Sequence, residues 1–205
     1  MKPADLAAWT ALLVALPFAV VVLTSFVKFA VVLAILRRAL GGSAIPPASV
    51  TAALALLFAL FVAAPVGERV WSQAASATAP ADAMARARGP VRDFLAQHTP
   101  ARERQSFLEL QRQLRAPAER AAVSDEDLVV LAPAFVAAEL KAAFQVGFLL
   151  FLPFLVIELV IATVLLSLGM NTLAPEAVSL PFKLLLFVLA DGWHLILRGL
   201  VLHYT

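Results

Sequence analysis

The chain has 205 residues, 62% of them hydrophobic, with a mean hydropathy of +0.90 and a formal net charge of +2. An ordinary soluble domain is about 45–50% apolar, and one core of this size cannot hide the excess, so lipid or other protein must cover part of the surface. There is no cysteine, which excludes disulfides, thiol nucleophiles and cysteine-based metal or iron–sulfur sites.

The charges are unevenly spread. Segment 67–141 holds ten basic and ten acidic residues, while the other 130 positions hold six and four. This divides the chain into an N-terminal apolar hairpin (1–66), a polar insert (67–141) and a C-terminal apolar hairpin (142–205). The first apolar segment, Leu6–Leu36, exceeds the roughly 7–15 residues of a signal-peptide core and the about 20 needed to span a bilayer. Pro17 is placed to kink it. Lys28, near its end, is expected to snorkel toward Arg37 and Arg38. Gly41, Gly42, Pro46 and Pro47 break the chain. The second segment, Val50–Val66, sits at the lower limit for spanning.

The insert reads as helices with soluble-type composition. Thr99 is an N-cap candidate with Pro100 at the first helical position. Phe107, Leu110 and Leu114 recur at helical spacing. Ser124, Asp125, Glu126 and Asp127 mark a second helix start, with acids at the positive end of the dipole. The alanine-rich stretch 74–88 carries weak signals and reads as flexible.

Two further apolar segments follow, Phe144–Met170 and Ala177–Leu202, around a turn from Asn171 to Pro175. The fourth is a poor lone membrane helix. Lys183 and Asp191 leave seven uninterrupted apolar residues between them, and each such charge costs about 2.5–3.5 kcal/mol near a helix centre. Such a helix belongs inside a protein assembly rather than in lipid. Arg37 and Arg38 border a short loop, which favours a cytoplasmic loop and an external insert. No alternating strand pattern competes, so the fold class is an all-α membrane protein of helical hairpins.

Four ionisable residues lie in apolar surroundings: Lys28, Glu158, Lys183 and Asp191. Measured from a turn centred near residue 172, Glu158 and Lys183 lie at heights of about 21 and 17 Å. An ion pair across the hairpin is therefore expected. Lys183 and Asp191 would be about 12 Å apart along one helix, so Asp191 needs another partner: Lys28, Arg198 of a neighbouring copy, or a water-filled lumen. Holding helices together, relaying protons or ions, and touching a transported chain are the roles such charges can take.

No metalloprotease, nucleophile-elbow or phosphate-loop motif is present. His98, His194 and His203 are scattered without carboxylates at metal-ligand spacing, and His98 reads as a solvated loop residue. The expectation is a protein without catalysis, cofactor or nucleic-acid partner.

Three stretches carry more specific information. One runs Thr24-Ser25-Phe26-Val27-Lys28 to Leu36-Arg37-Arg38-Ala39-Leu40-Gly41, followed by Pro46-Pro47. The second contains Pro133-Ala134-Phe135-Val136, Glu139-Leu140-Lys141, Ala143-Phe144-Gln145-Val146-Gly147-Phe148 and Phe151-Leu152-Pro153-Phe154-Leu155-Val156-Ile157-Glu158, ending in Leu168-Gly169-Met170. The third is Ser179-Leu180-Pro181-Phe182-Lys183-Leu184-Leu185-Leu186-Phe187-Val188-Leu189-Ala190-Asp191-Gly192-Trp193. In order and spacing they resemble the FliP/SctR family of type III secretion export apparatus proteins, over nearly the whole chain and least over 67–90.

The resemblance implies an oligomeric ring, pentameric in known family assemblies, in the bacterial inner membrane. It implies partners of the SctS/FliQ and SctT/FliR kinds, an export switch protein of the SctU/FlhB kind, and a helical cone that conducts unfolded secreted proteins. The chain's length and the stretch Pro100–Phe107 look more like the injectisome branch than the flagellar one. The loop Gly169, Met170, Asn171, Thr172 and Leu173 corresponds to the family's gate loop. Many relatives carry a run of methionines there, able to adapt to varied chains; here the run is reduced to Met170. A small secondary transporter is the competing reading, with Pro153, Glu158, Pro181, Lys183 and Asp191 as its only hint of a midplane site.

Overall fold

A computed structural model describes residues 10, 14, 19–41, 46–77 and 79–204, and no strand occurs among them. The helices are α1 (Phe26–Ala39), α2 (Ala48–Ala74), α3 (Pro80–His98), α4 (Ala101–Gln113), a 3-10 turn (Pro117–Ala122), α5 (Leu128–Ser167), α6 (Pro175–Leu189) and α7 (Gly192–Leu202). Two of them, α2 and α5, are long and apolar enough to cross a membrane, and the bent pair α6–α7 is a third candidate.

The first apolar segment is not one continuous helix. Helical residues 19–23 give way at Thr24 and Ser25 before α1 begins. The Thr24 hydroxyl donates to the Val20 carbonyl and accepts from the Phe26 amide at 3.3 Å. A hydroxyl competing for backbone groups is a known way to end one helix and cap the next. Pro17, the expected kink, lies outside the described residues.

The apolar segments also end elsewhere than hydropathy suggests. α2 continues through Pro65 and past Glu68 and Arg69 to Ala74, 27 residues in all. Polarity changes at residue 67, but no residue there stops helix propagation. α5 starts at Leu128 and runs 40 residues, about 60 Å at 1.5 Å per residue, or twice a bilayer core.

Packing divides the described residues into two units, one drawn from Met1–Val27 and Ala59–Lys141, the other from Lys28–Phe58 and Ala142–Thr205. In the first, α3, Val123 and the start of α5 build a small core of Phe94, Leu95, Val123, Val130, Leu131, Ala134 and Phe135. The Phe94 and Phe135 rings lie 5.9 Å apart at 60°. Glu103 receives Lys141 at 2.9 Å, and Arg104 meets Asp125 at 3.6 Å. The helix start read at Ser124–Asp127 is present: Asp127 Oδ2 accepts the Ser124 amide at 2.9 Å, and its carbonyl takes the Val130 and Leu131 amides. Stretch 74–88 was expected to be flexible, yet α3 begins there, with a proline in its first turn where a missing N–H is harmless.

Thr99 is not an N-cap. Pro100 occupies that position of α4, and the Thr99 hydroxyl donates backward to Leu95 O at 2.6 Å, closing α3. His98, expected in a loop, is the last residue of α3, with Nδ1 2.8 Å from Phe94 O. The Phe107–Leu114 stripe packs little: α4 buries no residue, and Leu110 and Leu114 are exposed.

In the second unit, α1 packs through Phe29, Val32, Leu33 and Leu36. Phe29 stacks on Phe58 at 5.9 Å. Gly147 of α5 lets Ile35 approach so closely that a β-carbon would sit 2.3 Å from Ile35 Cδ1. Beyond this seam α5 leaves Phe144, Phe148, Leu149, Val156, Leu159 and Val160 exposed.

Candidate functional site

The sequence-selected residues fall at four places in the second unit. The first is the loop from Gly169 to Leu173. α5 ends at Ser167, and the Gly169 amide donates to Leu166 O at 3.1 Å while the Met170 amide donates to Leu165 O at 2.9 Å. With Gly169 at φ 72°, this is a Schellman cap, which satisfies carbonyls the helix end would orphan and favours glycine at the left-handed position. Met170 and Leu173 are exposed, as are Asn171 and Thr172. A structured cap thus presents one thioether, one amide, one hydroxyl and one isobutyl side chain at the tip between α5 and α6.

The second place is the contact between α5 and α6. Lys183 Nζ lies 2.5 Å from Glu158 Oε2. The pair is unequally covered: the Lys183 side chain is 3% exposed and that of Glu158 38%. Ser179, one turn before Lys183, is fully buried and donates to Glu176 O at 3.0 Å. Burying an ammonium requires a charged or strongly dipolar partner, and Glu158 supplies it.

The third place is the break between α6 and α7. The expected single helix Ala177–Leu202 is two helices meeting at 60°. Asp191 stands at the junction with φ 49° and ψ 48°. Lys183 and Asp191 therefore do not share a helix, and a separation reckoned along one axis does not apply. Asp191 is exposed and forms no ion pair among the described residues; its carbonyl accepts the Leu195 amide at 3.1 Å. Aspartate tolerates the left-handed region better than most residues. Gly192 completes the corner. A β-carbon there would meet the Phe187 ring at 2.3 Å, and Phe187 in turn touches Trp193 edge-on at 5.3 Å and Phe154 at 6.4 Å.

At the fourth place, Lys28 does not snorkel. It is 1% exposed, and its Nζ lies 4.6 Å from the Tyr204 ring centroid. Cation–π attraction is worth about 2 kcal/mol when desolvated. Neither this contact nor the corner at Asp191 has a local signature. The first joins residues 28 and 204, and the second resembles helix until its dihedral is known.

Among the described residues no cluster of three or more His, Asp or Glu side chains is arranged for a metal ion. The charges occur singly or in pairs, within apolar helices, beside an exposed capped loop.

The model of the FliP family matches residues 10–200. The chain is 46% identical to the hypersensitivity response secretion protein HrcR of Ralstonia nicotianae, over 92% of this chain and 91% of that one. It is 43% identical to the Yop proteins translocation protein R of Yersinia pestis, over 94% and 92%. It is also 43% identical to the flagellar biosynthetic protein FliP of Pectobacterium carotovorum, over 90% of this chain and 72% of that one. The apolar helices make this a membrane protein. Matched along nearly its whole length, the chain belongs to the FliP family, in the branch of the injectisome SctR-type proteins.

Proposed function

We propose that the chain is a core, pore-forming subunit of the inner-membrane export gate of a type III secretion system. The observation that carries this reading is its near end-to-end alignment with relatives named for secretion and translocation. On this reading several copies, five by family resemblance, form a ring with SctS/FliQ-like and SctT/FliR-like membrane proteins. A SctU/FlhB-like switch protein joins them, and unfolded secreted proteins pass through. The insert 67–141 lies on the periplasmic side. The subunit performs no reaction of its own.

The geometry supports this in two ways. The exposed apolar side chains of α5 and α6 need covering by neighbours or lipid. The loop Gly169–Leu173 is held at its base by backbone hydrogen bonds while its side chains stay free, which suits a gate that seals around varied chains. With one methionine per subunit, that seal is smaller and more polar than one built from a run of thioethers. Lys28, Glu158, Lys183 and Asp191 serve assembly in this reading.

Co-expression with the genomic neighbours, pull-down and native mass spectrometry in detergent tests the proposal. Several copies of this chain bound to two small hydrophobic partners is the expected result. A lone monomer that captures no neighbour overturns it, and restores the transporter reading with Glu158, Lys183 and Asp191 as its site. The flagellar relative keeps one second reading open, a subunit of a flagellar export gate. Capture of injectisome rather than flagellar partners separates the two.

A further inference from the structure

A groove of about 330 Å³ opens in the second unit, lined by Phe58 of α2 and by His194, Leu197, Arg198, Val201 and Leu202 of α7 and its end. Four of these side chains are aromatic or aliphatic. The two polar ones, His194 and Arg198, stand one helical turn apart and are both exposed, so they share one face. No acid lines the groove, and Arg198 makes no ion pair among the described residues. Among apolar helices, an arginine without a carboxylate beside an apolar groove calls for an anion that carries its own hydrocarbon.

We propose that this groove holds an anionic phospholipid, its acyl chain against Phe58, Leu197, Val201 and Leu202 and its phosphate against Arg198 and His194. The guanidinium offers a planar fork that grips phosphate oxygens in pairs, and the imidazole adds one donor a turn away. Basic pockets between membrane helices recognise lipid head groups on this principle. A zwitterionic lipid would fill the slot equally well but bring its own cation to the arginine, so head-group charge decides the preference. The site is independent of the export reading, and its failure would leave that reading standing.

The full chain, purified in mild detergent in whatever oligomer it forms and stripped of lipid, is titrated with phosphatidylglycerol or phosphatidylethanolamine and read by native mass spectrometry. Tighter retention of phosphatidylglycerol is the expected outcome. Arg198→Gln should lower that affinity about fivefold, the weight of one basic side chain at an anionic membrane surface, and lower that for phosphatidylethanolamine by less. Val201→Trp, which fills the slot and keeps both polar groups, should weaken both lipids. Equal retention of the two lipids by the unaltered chain overturns the proposal without recourse to any variant. So does inorganic phosphate that binds as well as phosphatidylglycerol, because it would mark a site for soluble anions.

Discussion

Glu158 and Lys183 are unequally covered, so their substitutions should have unequal effects. Glu158→Gln leaves the ammonium of Lys183 buried without a countercharge, which costs about 3 kcal/mol. Lys183→Met leaves a carboxylate that is only partly covered by its own chain, and its cost should be smaller. Thermal unfolding of the assembled protein in detergent should therefore rank Glu158→Gln well below Lys183→Met, and the reverse order would show that burial is not what governs the pair. At Asp191 backbone and charge can be separated. Asp191→Asn keeps a side chain that tolerates the left-handed region, whereas Asp191→Val puts a branched β-carbon there at about 1–2 kcal/mol. If the dihedral is what matters, Asn should preserve assembly and Val should not; equal loss in both would point to the carboxylate. The individual charges were visible in the sequence because ions in apolar runs are rare, and helical rise alone sets Glu158 level with Lys183. What Lys28 touches was not visible, since Tyr204 lies 176 positions away along the chain.

At the scale of elements, hydropathy found the helices but misplaced their ends. α2 outlasts its apolar run because Glu68 and Arg69 are as acceptable to a helix as leucine. α5 begins 16 residues before the apolar segment Phe144–Met170, just after a turn in which the Asp127 carboxylate accepts the Ser124 amide, far from any hydropathy step. The same helix serves two surroundings, burying Val130, Leu131, Ala134 and Phe135 near its start and exposing apolar side chains further on. Where it meets α4, Lys141 donates to Glu103 and thereby holds that carboxyl below its usual range. A carboxylate depressed in the folded state stabilises the fold above its ordinary pKa, and the stabilisation is lost as the pH falls through the folded value. The melting temperature of the protein should thus drop more steeply on acidification than that of Glu103→Gln. Parallel curves through the carboxylate range would remove Glu103 as a contributor. Thr99 shows why cap assignments fail from sequence: a threonine between two helices can bond forward or back, and here its hydroxyl turns to Leu95.

For the whole molecule, composition already demanded company. The large exposed apolar side chains along α5, α6 and α7, from Phe144 to Leu202, are more than a solitary soluble chain could carry. Expressed alone, the chain should form homo-oligomers or fail to accumulate; a stable, monodisperse monomer in mild detergent would contradict this. The all-α class and the hairpin at 167–175 followed directly from periodicity and turn residues. The divisions after Val27, Phe58 and Lys141 did not, because all three fall inside continuous helices and leave no break in the sequence to find. The corner at Asp191 carries a further consequence, one of parity. From Pro46 onward two of the described helices are long and apolar enough to cross a membrane, or three when the bent pair counts as one. An even number returns the residues after Leu202 to the face where α2 begins, and an odd number delivers them to the opposite face. If all of these helices cross, the face that receives Leu202 depends on whether a single left-handed aspartate turns the pair back or merely bends it on its way across.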